Sequence, residues 1–169
     1  GLPFLGFIIQ PHVLRLALDL DTGETALEIF EDVWFRVAAP WGTDGFISCR
    51  DMEVSRWTLD GEIIWSGSLD VKDEPGADIS RECTGLAAVS DEEFLVLVEA
   101  WNKDTHLTAG EVIRYRVGEG IVRVTPVPFR PDWSGLTVLD DGGWIAAGPL
   151  NSSVMGIVRA DSEDRYRCW

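Results

Sequence analysis

The chain has 169 residues and a formal net charge of −15 at pH 7, because 29 acidic residues outnumber 14 lysines and arginines. This length predicts a single domain, residues 1–169, whose core can form without a metal or a disulfide. The acidity argues against nucleic acid and anionic membranes as partners of a basic surface. Acidic side chains that keep the protein dispersed are one explanation of this charge, and a basic protein partner is the other.

The three cysteines are Cys49, Cys83 and Cys168. Their odd number and the lack of CxxC spacing disfavour a disulfide framework and a zinc site, although one bridge is compatible with the sequence. The apolar run at residues 2–9 is about half as long as a membrane span and has neither a basic flank nor a small-residue cleavage site. We therefore expect a cytoplasmic protein with no metal and no cofactor.

Short runs rich in β-branched and aromatic residues follow one another, and no stretch of about twelve residues keeps helical spacing. The fold class is therefore predicted to be all-β. Turns rich in Gly, Asp and Ser separate the runs, as in antiparallel hairpins. The predicted strands are residues 4–9, 12–18, 25–30, 33–38, 45–49, 54–59, 62–66, 85–89, 94–99, 111–117, 121–127, 136–139, 143–147, 154–159 and 165–169.

The clearest hairpin signal is RWTLDGEIIWSG at residues 56–67. Asp60-Gly61 predicts a two-residue type I′ turn, which places Trp57 opposite Ile64 and Arg56 opposite Trp65. Bulky apolar groups then lie on both faces of the hairpin. The same holds for near-continuous apolar runs such as FLVLV at residues 94–98, and it indicates sheets that are covered on both sides.

Hairpins of two alternating kinds recur with an imperfect period of about forty to fifty residues and four strands per unit, which is typical of a β-propeller blade. The clearest units are LALDLDTGE at residues 16–24, SRWTLDGEIIWSG at 55–67 and GLTVLDDGGWIAAG at 135–148. In these stretches the chain resembles the blades of pyrroloquinoline-quinone-like and kelch-like β-propellers. The resemblance implies a small or partial β-propeller of about four blades and no particular activity. A β-sandwich is the alternative fold.

No catalytic sequence motif is present, and we assign no catalytic residue. The paired acids lie in predicted turns, where carboxylates are usually solvated. Segment 71–82 and the connection 101–110 are predicted to be surface loops. The candidate partner-binding residues are acids that would steer a basic partner and loop aromatics that would anchor it: Trp41, Asp73, Glu74, Asp78, Asp91, Glu92, Trp101, His106 and Trp133.

The sequence thus favours a non-enzymatic, acidic protein-interaction module that binds a basic protein. Its sharpest form is an inhibitor or immunity-type protein that neutralises a toxin or nuclease. One alternative is a propeller-type enzyme that acts on a carbohydrate or small ester through acidic residues at the rim. Another is an assembly subunit that completes a larger propeller, for which an open blade edge would pair with a second copy of the chain.

Overall fold

The structure is a computed structural model that describes residues 5–9, 12–18, 25–30, 36–43, 45–73, 75–131, 135–151 and 153–168, the first three ranges by their backbone alone. No α-helix lies within these ranges, so the all-β prediction is confirmed. The strands are β1 (Leu5–Ile9), β2 (His12–Leu18), β3 (Thr25–Phe30), β4 (Val37–Trp41), β5 (Gly45–Arg50), β6 (Glu53–Thr58), β7 (Ile63–Ser68), β8 (Ile79–Ala88), β9 (Glu93–Asn102), β10 (Leu107–Arg116), β11 (Gly120–Val127), β12 (Gly135–Val138), β13 (Trp144–Asn151), β14 (Val154–Ala160) and β15 (Tyr166–Cys168).

These strands form four antiparallel sheets, and in each sheet the strands lie side by side in chain order. Sheet A is three-stranded and contains β1–β3. Sheets B, C and D are four-stranded and contain β4–β7, β8–β11 and β12–β15. Strands β4 and β5 contact β8, and β8 contacts β12, so sheet C lies between sheets B and D. None of the sheets formed by the described strands closes on itself.

The core is built on both faces of strand β9. The run at residues 94–98 is fully buried, as its continuous apolar sequence predicts for a strand that is covered on both sides. Phe94, Val96 and Val98 pack towards sheet B, whereas Leu95 and Leu97 pack towards sheet D. Their partners are Ile47, Cys49 and Val54 in sheet B and Trp144, Ala146 and Val158 in sheet D.

The hairpin at residues 56–67 does not contain the predicted two-residue turn. Of the two turn residues only Gly61 has a positive φ, 86°. The Thr58 N–H donates to the Glu62 carbonyl at 2.8 Å, which leaves three residues in the loop. A three-residue hairpin loop needs one left-handed position, and the glycine occupies it.

The pairing of this hairpin is shifted at its end by a β-bulge between Arg56 and Trp57. Arg56 lies opposite Trp65 as predicted, but Trp57 lies opposite Ile63 rather than Ile64. Ile63 and Ile64 are 55% and 53% exposed because they belong to β7, an edge strand. The prediction that apolar groups are buried on both sides is therefore wrong for this end of the hairpin.

Segment 101–110 is a tight hairpin rather than the predicted long connection. Strand β9 continues to Asn102 and β10 begins at Leu107. The Asn102 side-chain oxygen accepts the N–H groups of Asp104 (3.0 Å) and Thr105 (2.9 Å), which fixes the turn between the strands. Strand β8 likewise begins at Ile79, so the polar loop predicted at 71–82 ends earlier than expected.

A disulfide joins Cys49 of β5 to Cys83 of β8, with their Cα atoms 6.1 Å apart. The number and spacing of the cysteines disfavour a disulfide framework but leave one bridge open, and the structure contains this bridge. The two cysteines are 34 residues apart but meet because sheets B and C pack face to face. Cys168 is free and exposed.

Candidate functional site

A depression of about 340 Å³ lies at one end of sheet C, where β8 and β10 begin and β9 ends. We call it the Trp101 surface. It is lined by Ser80, Arg81, Glu82, Glu99, Trp101, Thr108 and Arg130.

The strand register explains why polar and aromatic groups meet there. Trp101 lies opposite Ser80 on one side and Thr108 on the other, and Glu99 lies opposite Glu82. Residues directly opposite each other in an antiparallel sheet share a face, and so do residues two apart along a strand. One face of the sheet therefore presents an indole ring, two hydroxyl groups and two carboxylates.

Trp101 is 41% exposed and is the most exposed tryptophan in the described part of the chain. The ring of His106 stacks near it, with centroids 6.2 Å apart and an angle of 30° between the planes. His106 has a φ of 57°, which the tight turn imposes, and its side chain is exposed. The turn thus places a second ring beside the indole.

Gly110 allows the wall of the depression to approach strand β10. A Cβ atom at this position would lie 2.5 Å from the Val127 side chain and 2.6 Å from the Phe129 carbonyl oxygen. Because glycine has no Cβ atom, the segment after β11 can pack directly on β10, and it leads to Arg130 at the surface. There the Arg130 guanidinium donates to Glu99 at 3.4 Å.

Each carboxylate on the floor of the depression has a cationic partner. Glu99 pairs with Arg130, and Glu82 pairs with Arg36 from the start of sheet B. Two carboxylates directly opposite each other in a sheet repel, and the arginines offset this cost. Both side chains of the Arg36–Glu82 pair are about half exposed, so this pair is weak in water. In the other pair Arg130 is 57% exposed, but Glu99 is 18% exposed.

Asp73 has a structural role behind the depression. Both of its carboxylate oxygens accept from Arg81, at 2.6 and 2.9 Å, and Arg81 also donates to Glu111 at 2.9 Å. These bonds lower the pKa of Asp73 and raise the pKa of Arg81, in each case mainly through the hydrogen bonds between the two side chains. The Arg81 side chain is 8% exposed, so the Asp73 carboxylate neutralises a buried guanidinium. The same ion pair holds the loop that precedes β8 on sheet C.

The structure gathers four of the predicted residues at the same end of sheet C. Trp101 and His106 form the exposed aromatic pair, and Asp73 lies behind them. Asp78 pairs with Lys103 of the turn at 2.8 Å, and both side chains are about half exposed. Asp91 and Glu92 lie in the turn at the other end of the sheet, about 30 Å from Trp101 along β9.

Trp41 does not lie on a surface loop. It is the last residue of β4, is fully buried and packs on the ring of Phe94 at 5.4 Å. The guanidinium of Arg56 covers its other side at 5.1 Å from the ring centre. The expectation that Trp41 anchors a partner is corrected to a role in the core. Glu74 and Trp133 lie outside the described residues.

Sequence reasoning missed the polar floor of the depression, namely Ser80, Glu82, Glu99, Thr108 and Arg130. A usable signal was present, because Ser80 and Glu82 are two residues apart and so are Glu99 and Trp101. A spacing of two residues places side chains on one face of a strand, but the polar composition of segments 71–82 and 101–110 favoured loops instead.

A second cluster of charged groups lies buried between sheets C and D, at the end of sheet C that carries Asp91 and Glu92. Arg114 donates to both oxygens of Asp164 (2.9 and 2.8 Å) and also pairs with Glu93, and the Trp144 indole N–H donates to Asp164 at 2.7 Å. Burial acts to raise the pKa of Glu93, but hydrogen bonds from Arg116 and Arg114 outweigh it and the pKa is lowered. This cluster is internally satisfied and structural.

Within the described ranges, no group of three or more His, Cys, Asp or Glu side chains is arranged to hold a metal ion. The same ranges contain no helix of the length and apolar character that crossing a membrane requires.

No protein-family model matches the chain, and no curated protein is similar to it in sequence. Its fold is similar to the crystal structure of a protein of unknown function from Bacteroides caccae, with a TM-score of 0.52 and 13% sequence identity. The similarity covers 92% of this chain and 53% of that one, so the chain spans about half the length of that protein. At this identity the comparison concerns the fold alone.

Proposed function

We propose that sheets B, C and D are blades of a β-propeller and that the protein is a non-enzymatic binding module for a basic protein. Two features support the fold proposal. Each of these sheets is a four-stranded antiparallel meander, and contacts between their first strands link β4 to β8 and β8 to β12. Blades stack face against face around an axis lined by one strand from each, which agrees with these contacts.

The observation that carries the functional proposal is the exposed indole of Trp101 on the same face of sheet C as the carboxylates of Glu99 and Glu82. An arginine or lysine of the partner would place its charge over the indole and contact Glu99 and Glu82. A cation over an exposed ring contributes about 0.5–1 kcal/mol, and more when water is excluded. The exposed Arg36 would turn outward at little cost because both members of its pair with Glu82 are exposed. At Glu99 the incoming cation would take the place of Arg130, so the carboxylate keeps a cationic partner.

The net charge of −15 would act at longer range. It attracts basic surfaces and accelerates encounter, and this effect weakens as salt is added. The basic substrate site of a nuclease or toxin is a surface of the required chemistry. More specifically, we propose that the protein is an inhibitor or immunity-type protein that occupies such a site.

The test is affinity capture with charge variants, read by mass spectrometry across a salt series. Asp73 is unsuitable for charge reversal, because it is one of the two carboxylates that satisfy the buried Arg81. The better variant is Asp78→Lys with Asp104→Lys, since both side chains are exposed.

The matched control is Asp91→Lys with Glu92→Lys, which makes the same change in charge at the far end of sheet C. We expect the first variant to lose a basic protein that both the wild type and the control retain. Equal loss in both variants would mean that net charge matters and the Trp101 surface does not.

A carbohydrate is the second candidate ligand, favoured by the hydroxyl groups of Ser80 and Thr108 beside the indole and by the carboxylate pair. Glu82 and Glu99 lie directly opposite each other, which sets their Cβ atoms about 5 Å apart. The two carboxyl groups of a retaining glycosidase are about 5–5.5 Å apart, a separation that glutamate side chains on neighbouring Cβ atoms can reach. Binding of oligosaccharides that is lost in Trp101→Ala, with hydrolysis lost in Glu99→Gln, would favour this candidate over the protein partner.

A further inference from the structure

The chain's own Arg130 already supplies a cation at the Trp101 surface. Its guanidinium pairs with Glu99 at 3.4 Å and lines the same depression as the indole of Trp101. Glu99 is 18% exposed and lies directly opposite a second carboxylate, that of Glu82. Two like charges that face each other in a sheet repel, so Glu99 favours a cation beside it. In the free protein Arg130 provides this cation.

The backbone at Arg130 is fixed on sheet D, which holds the guanidinium close to Glu99. The Arg130 N–H donates to the Pro149 carbonyl at 3.0 Å. The preceding side chain, Phe129, is 3% exposed and packs in the core between sheets C and D. Gly148 makes room for it, since a Cβ atom at this position would lie 2.4 Å from the Phe129 ring. A group anchored in this way acts at a high effective concentration.

The Arg130 side chain itself is loosely held. It is 57% exposed, whereas the side chains of the structural arginines of sheet C, Arg81 and Arg114, are 8% and 7% exposed. An ion pair with an exposed member contributes little, because water competes for the charge. A side chain that is anchored nearby but weakly bound competes with a ligand without blocking the surface.

We propose that Arg130 is an internal competitor of the basic ligand at the Trp101 surface. This inference rests on the proposed function, because it concerns the regulation of the same surface. A cation that binds through Glu99 alone only replaces Arg130 and gains little from the exchange. A cation that also covers the indole of Trp101 gains the contact with the ring. Arg130 therefore selects ligands that use both groups, which is selection against the wrong partner rather than for the right one.

The test is a titration with a short arginine peptide, followed through the Trp101 indole N–H signal in NMR, for the wild type and for Arg130→Gln. We expect the variant to bind the peptide about two- to fivefold more tightly, the factor that loss of a weak competing ion pair produces. Arg130→Lys keeps the charge and should bind nearly as weakly as the wild type. The matched control, Arg165→Gln, removes a 72% exposed arginine from sheet D and should bind like the wild type.

Equal or weaker binding of the peptide by Arg130→Gln would overturn the proposal. Equal tightening in Arg165→Gln would also overturn it, because net charge alone would then explain the effect. As long as the wild type binds the peptide, either result refutes the internal competitor and leaves the proposed function intact. Binding by Arg130→Gln but not by the wild type supports the competitor. If neither protein binds the peptide at millimolar concentration, the proposed function fails and this inference fails with it.

Discussion

Removing the Asp164 carboxylate should destabilise the fold by about 3–5 kcal/mol, which is the usual cost of breaking a buried ion pair. The Asp164 side chain is 2% exposed and accepts hydrogen bonds from Arg114 and from the indole of Trp144. In Asp164→Ala, Arg114 would keep its pairing with Glu93 but lose two bonds, and the Trp144 N–H would be left buried and unpaired. An unpaired buried donor alone costs about 1–3 kcal/mol.

The loss is measured by urea unfolding, followed by tryptophan fluorescence. Since a domain is stable by only about 5–15 kcal/mol, the variant should unfold at a much lower urea concentration. The control is Glu163→Ala in the same hairpin. The ion pair of Glu163 with Arg165 is exposed and should contribute less than about 1 kcal/mol.

A second variant separates the loss of the pair from the loss of volume. Replacing both partners, as Asp164→Leu with Arg114→Met, removes the buried charge and should recover part of the stability lost by Asp164→Ala. If Asp164→Ala costs no more than Glu163→Ala, the buried cluster does not join sheets C and D and the reasoning is refuted.

Reduction of the Cys49–Cys83 bridge should lower the free energy of unfolding by about 4 kcal/mol, because the bridge closes a loop of 34 residues and so limits the entropy of the unfolded chain. Urea unfolding with and without a reductant measures this difference. The pKa of Glu93 is lowered in the fold, so its contribution to stability is present above the ordinary value of 4.5 and is lost as the pH falls below it. In this acidic range, the free energy of unfolding of Glu93→Gln should therefore depend less steeply on pH than that of the wild type. An unchanged slope would contradict the assignment. Gly110→Ala should destabilise the fold by about 1–3 kcal/mol because the added methyl group meets the Phe129 carbonyl; a thermal melt equal to that of the wild type would exclude this close approach.

The sequence predicted the fold class because most strands are β-branched and aromatic, and the buried run at residues 94–98 also indicated the layering. The sequence did not predict the strands at residues 79–84 and 107–110, because there the pairing is set by the adjacent strands and not by the strand propensity of the residues themselves. Ser80 and Glu82 favour strands weakly, yet each continues the pairing that the apolar part of β8 has already set in register with β9.

Two other features could not be read locally. Pro40-Trp41-Gly42 has the composition of a loop, but Trp41 fills the core between sheets B and C, which depends on contacts with residues far away in sequence. The disulfide depends in the same way on the packing of β5 near β8, so the spacing of the cysteines carries no signal for it.

The central claim is that the Trp101 surface accepts a basic side chain. The most direct measurement is an NMR titration of the indole N–H signals with a short arginine peptide, and with the same peptide carrying uncharged citrulline. Trp101→Phe identifies the signal. The account predicts a saturable shift of the Trp101 signal with the arginine peptide, reduced by salt and absent with citrulline. A Trp101 signal that both peptides shift equally, or that neither shifts at millimolar concentration, would contradict it.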